Sequence, residues 1–234
     1  MLNSLKPYYH HYNHRLRWRL GHWKSIWNRQ KTIAQYMKAH KVKKLQLGCG
    51  PHLIKGWLNS ELYGSPEMIP LDLTKKFPVP DNSFDYLFCE HTIEHFSLEQ
   101  GRNIFAEFFR VLKPGGKVRM ATPDLKFLID LYKKEKKPVQ KRYIAWSSKE
   151  FFPKLGIVHE TFVINNFVRA WGHQFIYDLA AFKILLPKAG FKNITKHKPG
   201  ESRDKHLRGL ELHGKSMGDE FNLLETLVVE ATKP

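Results

Sequence analysis

The segment that most constrains the fold is a short strand that ends in two closely spaced glycines. Lys43–Gly48 is predicted to be a strand, and it leads directly into Gly48-Cys49-Gly50. Glycine has no Cβ atom, so glycines after a first strand let the backbone approach a ligand closely. The pattern predicts an α/β domain with a ligand site at the end of its first strand.

The spacing around these glycines differs from that of a dinucleotide site. The dinucleotide pattern has a third glycine, which would fall at Leu53, and an acidic residue about 20 residues further on. Here the first acid of the chain, Glu61, comes 11 residues after Gly50. Only Pro51–Lys55 could form a helix in between, whereas a pyrophosphate requires a full helix N-terminus. The sequence therefore favours a cofactor without phosphates.

Two acidic residues follow the next predicted strands, Trp57–Leu62 and Met68–Leu73. Glu61 ends the second strand, where a carboxylate can accept hydrogen bonds from both hydroxyls of a ribose. Asp72 ends the third strand, where it can reach an adenine amino group. In a chain with a formal net charge of +17, two acids at successive strand ends suit a cationic nucleoside.

The rest of the chain alternates strands with helices. Further strands are predicted at Phe84–Cys89, Lys117–Ala121, Lys192–Lys196 and Leu223–Ala231, and helices at Leu98–Leu112, Leu125–Lys137 and Tyr177–Ala189. Residues 138–176 are predicted to be irregular and are rich in aromatics. Such alternation predicts an α/β, Rossmann-like fold: a mostly parallel sheet with helices on both faces.

Four motifs together resemble those of class I S-adenosylmethionine-dependent methyltransferases, in particular bacterial members of methyltransferase type 11. They are Leu45–Gly50, Gly56–Glu61, Leu71–Asp85 and Arg110–Gly116. The resemblance covers residues 43–234 and implies a seven-stranded sheet, with the last strand antiparallel, and S-adenosyl-L-methionine as the cofactor. Residues 1–42 form a basic N-terminal helical extension outside it, and residues 138–176 form an insertion expected to cover the substrate site.

The resemblance also implies a set of cofactor-binding residues by their positions in the motifs. Gly48 and Gly50 match residues that flank the methionine end, Asp72 matches the adenine contact, and Glu61 matches a ribose acid that is usually Asp. The full set is Leu47, Gly48, Cys49, Gly50, Glu61, Leu62, Asp72, Leu73, Glu90 and His91.

Histidines provide the candidates for catalysis. Methyl transfer requires the donor and the acceptor to be held in line and can require removal of a proton from the acceptor. Histidine is the natural base near neutral pH. His95, just past the fourth strand, and His173, within the predicted insertion, are the candidate catalytic residues, with His159 as a further option.

Two other chemistries find less support. His91-Thr92-Ile93-Glu94-His95 has the inverted zinc-protease pattern, but that pattern needs a long helix and a third ligand, and here it follows a strand. We therefore expect no metal. Cys89 is not preceded by the proline of a cytosine-C5 nucleophile, and the Asp/Asn-Pro-Pro-aromatic signature of base amino-group methylation is absent.

The excess of basic over acidic residues is concentrated near the N-terminus of the chain. Residues 1–60 contain 12 Lys and Arg and no acid. A helix is predicted over residues 13–40, with one apolar face formed by Leu16, Leu20, Trp23, Trp27, Ala34 and Met37. Residues 1–44 could bind an anionic membrane surface or RNA, or pack on the domain with a solvated basic face.

These observations predict a methyltransferase that acts on a small-molecule or glycan acceptor, at oxygen. The expectation of a glycan acceptor is based on the segments Trp171–Asp178 and Leu223–Glu230, which resemble parts of bacterial methyltransferases of surface-polysaccharide synthesis. An RNA methyltransferase and a non-catalytic binding module are the alternatives. Two cysteines indicate a reducing compartment, and we find no membrane span or signal peptide, so a cytoplasmic protein, peripheral at the inner membrane surface, is expected.

Overall fold

A computed structural model describes residues 24–65 and 67–234 of the chain. Seven strands form one sheet: β1 Lys44–Leu47, β2 Leu58–Glu61, β3 Ile69–Pro70, β4 Phe84–Glu90, β5 Leu112–Pro123, β6 Lys192–His197 and β7 Thr226–Thr232. Their order in the sheet is β3-β2-β1-β4-β5-β7-β6. β7 is antiparallel to β5 and β6, and the other neighbours are parallel. The predicted seven-stranded, mostly parallel α/β fold is confirmed.

Eight helices accompany this sheet in the described ranges. The first, α1, covers residues 24–39. The others are α2 Leu98–Val111, α3 Leu125–Tyr132, α4 Pro138–Phe151, α5 Glu160–Arg169, α6 Leu179–Lys188, α7 Gly214–Met217 and α8 Asp219–Glu225. In the part of the chain that the structure describes, no helix is both long and apolar enough to cross a bilayer.

The main core lies on one face of the sheet. Leu47, Leu87 and Cys89 point into it because side chains alternate along a strand. α1, α2 and α6 cover this face with residues such as Ile33, Phe105 and Phe182. On the opposite face, Leu207 and Leu210 from the segment between β6 and α7 pack against Trp57 and Phe88.

Among the residues of the described ranges, the predicted apolar face of the N-terminal helix is confirmed only at Met37, which packs against the main core. Trp27 is 89% exposed and Ala34 is exposed, whereas Ile33 and Tyr36 are buried. The Tyr36 hydroxyl is 2.9 Å from the carbonyl oxygen of Lys44, which ties α1 to the start of β1. The helix therefore turns Ile33 and Tyr36 to the core. The predicted Leu16, Leu20 and Trp23 lie outside the described residues.

Residues 138–176, predicted to be irregular, contain the helices α4 and α5, and only residues 152–159 and 170–176 are irregular. Pro138 occupies the first turn of α4, where its missing N–H costs nothing. The Gln140 side chain accepts a hydrogen bond from the backbone N–H of Lys137 at 2.8 Å. Tyr143 and Phe167 then join α3, α4 and α5 in a second apolar cluster beside the carboxyl ends of β4 and β5.

Several element boundaries also differ from the prediction; for example, residues 223–225, predicted to begin the last strand, belong to α8. β3 is only two residues long, and Asp72 follows it rather than ending it. The Lys113–Gly116 segment belongs to β5 instead of a turn. Gly115 N donates to Lys233 O and Lys233 N donates to Gly116 O, both at 2.9 Å. This pairing with the C-terminal segment extends the strand backwards to Leu112.

Candidate active site

The glycine turn after β1 is shaped by its neighbour Thr92. Gly48 and Gly50 have φ angles of +62° and +51°, which side chains rarely tolerate. A Cβ atom on Gly48 would lie 2.3 Å from Thr92 Oγ1, whereas one on Gly50 would meet no atom within 4 Å. The turn is thus packed tightly at Gly48 and faces open space at Gly50, where a ligand can approach.

Glu61 closes this turn from the end of β2. One carboxylate oxygen accepts a hydrogen bond from Gly50 N at 2.9 Å and the other from Leu62 N at 2.7 Å. Each oxygen keeps acceptor capacity for further donors, such as ribose hydroxyls. The structure therefore brings together the predicted ribose acid and the predicted glycine turn.

Asp72 lies on the same edge of the sheet, next to β3. Its Oδ1 atom accepts hydrogen bonds from Thr74 N at 2.9 Å and Thr74 Oγ1 at 2.6 Å. Its Oδ2 atom makes no hydrogen bond within the described ranges. The following Leu73 is buried, whereas Leu62 after β2 is 48% exposed. Asp72 thus offers one carboxylate oxygen to a ligand.

Both cysteines near this edge are buried. Burial, helped by the charge of Glu61, raises the pKa of the Cys49 thiol to about 11. Burial, with Glu94 nearby, raises the pKa of Cys89 to about 12. Neither thiol is disposed to ionise near neutral pH, which agrees with the absence of a nucleophile motif around Cys89.

Glu90 ends β4, where the motifs place it, and its side chain is engaged within the protein. Its carboxylate accepts hydrogen bonds from the backbone N–H groups of Leu212, at 2.9 Å, and His213, at 3.0 Å. These residues lie between β6 and α7. Glu90 therefore fixes that segment over the end of β4.

His91 and Glu94 form a pair just past β4. His91 has a left-handed φ of +43°, and its Nδ1 atom is 3.2 Å from Glu94 Oε1. Burial disfavours charge on both groups, but their mutual attraction outweighs it, raising the pKa of His91 and lowering the pKa of Glu94. Thr122 Oγ1 donates to the second oxygen of the fully buried Glu94 at 3.0 Å.

The two predicted catalytic histidines are brought together by this fold. The rings of His95 and His173 meet edge to face with centroids 4.9 Å apart. Backbone N–H groups of Gln174 and Phe175 donate to Glu94 O, which pins the two segments to each other. Burial lowers the pKa of His173.

Both histidines line a cavity of about 360 Å³ at the carboxyl ends of β4 and β5. One part of its wall is polar: His91, Glu94, His95, His173, His213 and Glu225. Another part is aromatic and apolar: Tyr143, Trp146, Phe151, Phe167, Trp171 and Met217. α4 and α5 supply much of this second part. His159 instead begins α5 with a 55% exposed side chain and is not among the lining residues.

Three polar residues of this cavity were missed by the sequence analysis. His213 stacks on His91 with ring centroids 3.9 Å apart, and its Nε2 atom is 3.1 Å from Glu225 Oε1. The hydroxyl of buried Tyr143 donates to the other oxygen of Glu225. Only tertiary packing brings these residues together, because no local motif surrounds any of them.

Comparison with known proteins agrees with the fold. Residues 55–120 match the family model of a methyltransferase domain. No curated protein is detectably similar in sequence.

Similar solved structures include S-adenosylmethionine-dependent methyltransferases from three organisms. The one from Archaeoglobus fulgidus is 13% identical, with 88% of this chain and 91% of that chain covered and a TM-score of 0.49. The one from Thermotoga maritima, described as a possible histamine N-methyltransferase, is 17% identical over all of both chains, with a TM-score of 0.45. The one from Mesorhizobium loti is 16% identical over 82% of this chain and 90% of that chain, with a TM-score of 0.45.

The strand order with its antiparallel β7, the glycine turn and the family match define the class of protein. The chain has the fold of class I S-adenosylmethionine-dependent methyltransferases, and its residues 55–120 match a methyltransferase domain. These findings support an enzyme with S-adenosylmethionine as its cofactor.

Proposed function

We propose that this enzyme methylates an oxygen atom of a small-molecule or glycan acceptor bound in the 360 Å³ cavity. The observation that carries the proposal is the position of Thr92. Its side chain lies against Gly48 of the cofactor turn, and the preceding residue, His91, is part of the cavity wall. The turn and the cavity are therefore adjacent on one edge of the sheet, as transfer between two bound molecules requires.

The residues at the turn fit the cofactor. Gly50 leaves open space where a side chain would stand, Glu61 can accept from ribose hydroxyls, and Asp72 Oδ2 can accept from an adenine amino group. The cofactor site would also be lined by Leu47, Cys49, Leu62 and Leu73. His91 would lie at its boundary to the cavity. Glu90 would contribute indirectly, by holding the Leu212–His213 segment in place. When bound, S-adenosylmethionine supplies a sulfonium methyl group, whose transfer to a hydroxyl forms a C–O bond and releases a thioether and a proton.

His95 and His173 are the residues that we propose to act on the acceptor. They stand side by side on the polar wall, and in the simplest mechanism one of them takes the hydroxyl proton. A hydroxyl needs such help because it is a weak nucleophile while it keeps its proton.

The shape of the cavity supports a small polar acceptor. Its volume is at the lower end of the roughly 300–1,000 Å³ usual for small-molecule sites. Trp146 and Trp171 line the cavity together with histidine and carboxylate groups, a combination suited to a sugar, which has both apolar faces and hydroxyl edges.

The test is to identify the product. The purified enzyme is incubated with labelled S-adenosylmethionine and fractionated bacterial extract, and labelled molecules are analysed by mass spectrometry. We expect a methyl ether on a small molecule or oligosaccharide, less of it with Trp171→Ala, and an unchanged yield with Tyr132→Ala, which removes an exposed aromatic ring from the end of α3. Label confined to RNA would contradict the proposal and favour the RNA alternative.

We further propose that residues 1–44 attach the enzyme peripherally to an anionic membrane surface. On α1, Trp27 is 89% and Ile26 38% exposed, next to the exposed Lys24 and Lys31. Exposed aromatic and aliphatic side chains among cations suit the headgroup region of a bilayer. Such a location would suit a lipid-linked acceptor.

A further inference from the structure

The structure supports a metal site at the inverted zinc-protease pattern, which the sequence alone did not favour. The pattern His91-x-x-Glu94-His95 lacked a long helix and a third ligand. The structure confirms that no long helix is present, since Ile93–His95 is a single 3₁₀ turn after β4. The segment after α5, however, brings His173 to this turn. Glu94, His95 and His173 each offer one ligand atom, all within 4.8 Å of one another.

Each of these three side chains is arranged as a ligand would be. The Nδ1 atom of His173 is 2.6 Å from Phe167 O, so Nδ1 carries the proton and Nε2 has a free lone pair. Metal-bound histidines commonly have such a partner on their other nitrogen. The ring of His95 makes no hydrogen bond in the residues that the structure covers. Glu94 is fully buried and has Thr122 and His91 as outer partners for its two oxygens.

We propose that Glu94, His95 and His173 bind one divalent transition-metal ion, of the Zn²⁺, Mn²⁺, Fe²⁺ or Co²⁺ class. Two imidazoles and one carboxylate suit these ions, whereas Mg²⁺ and Ca²⁺ prefer oxygen ligands alone. With bonds of about 2.0–2.2 Å, tetrahedral ligand atoms lie roughly 3.4 Å apart. The separations of the three atoms must therefore shorten by up to about 1.4 Å, which rotation of the His95 side chain can help to provide.

A second group in the same cavity is less suited to an ion. His91, His213 and Glu225 also offer atoms within 4.8 Å of one another. The rings of His91 and His213, however, are stacked with only 34° between their planes, so their in-plane lone pairs do not converge. The rings of His95 and His173 are inclined by 73° and can point at one atom between them.

The proposed ion faces the acceptor site, and its role rests on the function proposed above. Three protein ligands leave a coordination position free, which is typical of catalytic rather than structural sites. The open side is the cavity, because all three residues line it. An ion there would supply Lewis acidity to an acceptor oxygen. In that case His95 and His173 would hold the ion, and the ion would make the acceptor hydroxyl easier to deprotonate. Neither histidine would then need to act as a free base.

The test measures metal binding directly. The protein, prepared without a histidine tag, is stripped with a chelator and titrated with Co²⁺ and Zn²⁺, with bound metal measured by plasma mass spectrometry and Co²⁺ also by its visible absorption. We expect about one ion per chain. Affinity should fall by at least about 100-fold in His173→Gln and in His95→Gln, because even outer partners of a metal contribute about 10- to 100-fold.

His52→Gln is the matched control, because His52 is exposed and is not among the residues that line the cavity, and it should bind metal like the unmodified protein. Circular dichroism and calorimetric binding of S-adenosylmethionine verify that each variant is folded. No binding by the unmodified protein, or equal binding by all variants, would overturn the metal site and leave the methyl-transfer proposal standing. A bound ion in an enzyme that methylates only RNA would refute the proposed acceptor and not the metal site.

Discussion

A Cβ atom on Gly48 would lie 2.3 Å from Oγ1 and 2.5 Å from Cγ2 of Thr92. The two residues follow neighbouring parallel strands, β1 and β4, which are paired at Leu47 and Cys89. Thr92 is fixed in turn by a 2.8 Å hydrogen bond from its hydroxyl to Glu90 O. The proposed cofactor turn and the segment that lines the proposed acceptor cavity are thus in direct contact.

This contact makes Gly48→Ala strongly destabilising. The substitution adds the clash with Thr92 to the cost of a left-handed backbone, which is roughly 1–2 kcal/mol for a residue with a side chain. We expect a lower midpoint of urea unfolding and weaker binding of S-adenosylmethionine by calorimetry.

Gly50→Ala provides the matched comparison. Gly50 has a similar positive φ, but its Cβ would meet nothing within 4 Å, so only the backbone cost applies. The loss of stability should be smaller than for Gly48→Ala. Thr92→Ala should partly rescue Gly48→Ala, because it removes the two closest atoms and leaves only Cβ at 3.0 Å. Equal losses for both glycines, with no rescue, would show that the contact with Thr92 is unimportant.

Replacement of either acid at the strand ends should weaken cofactor binding. Glu61→Ala and Asp72→Ala each remove hydrogen bonds to a charged group, worth about 1.5–3 kcal/mol, or roughly 10- to 150-fold in affinity. Calorimetric titration with S-adenosylmethionine measures the change. Glu67→Ala removes an exposed carboxylate from the loop before β3 and should leave affinity unchanged. Unaltered affinity in both Glu61→Ala and Asp72→Ala would refute the cofactor assignment.

The cofactor half of the site was accessible to sequence reasoning because its residues are local. Gly48, Gly50 and Glu61 lie within one strand–turn–strand unit, so chain spacing alone places them together. The acceptor half was less accessible. His95 and His173 were both chosen as candidates, but their contact depends on how α4 and α5 pack, and those helices were not predicted.

The orientation of α1 was unpredictable for a related reason. Its sequence offers apolar residues on more than one side, including Trp27 and Ile33. Which side is buried depends on the surface that the helix meets, and hydrophobic periodicity alone does not contain that information. Tyr36, which can both pack and donate a hydrogen bond to Lys44 O, occupies the buried side.

A buried charge cluster lies on the face of the sheet opposite the main core. Arg119 on β5 is fully buried and lies 2.5 Å from Glu211 Oε1 and 2.6 Å from Glu230 Oε1. Arg119→Met would leave two carboxylates without their cation, and breaking a buried pair costs about 3–5 kcal/mol. We expect a large loss of stability in urea unfolding.

The control for Arg119→Met is Lys126→Met. Lys126 also pairs with a carboxylate, that of Asp130, but its side chain is 67% exposed. The same loss of one positive charge should leave stability unchanged there, because exposed pairs are solvated in both states. A comparable loss in the two variants would mean that net charge, and not the buried cluster, determines the effect.

Attachment of α1 to a membrane can be tested by vesicle sedimentation. If each cation near an anionic surface contributes about 1 kcal/mol, replacing both Lys24 and Lys31 with Gln should weaken partitioning by roughly 30-fold. Trp27→Ala should weaken it as well, by removing an indole from the interface. Lys183→Gln with Ile184→Ala, on the exposed side of α6, is the control and should bind normally.

Vesicles without anionic lipid should not bind the enzyme at physiological salt. Equal partitioning of all variants would contradict attachment through α1, and salt-sensitive binding of RNA in place of vesicles would favour the RNA alternative.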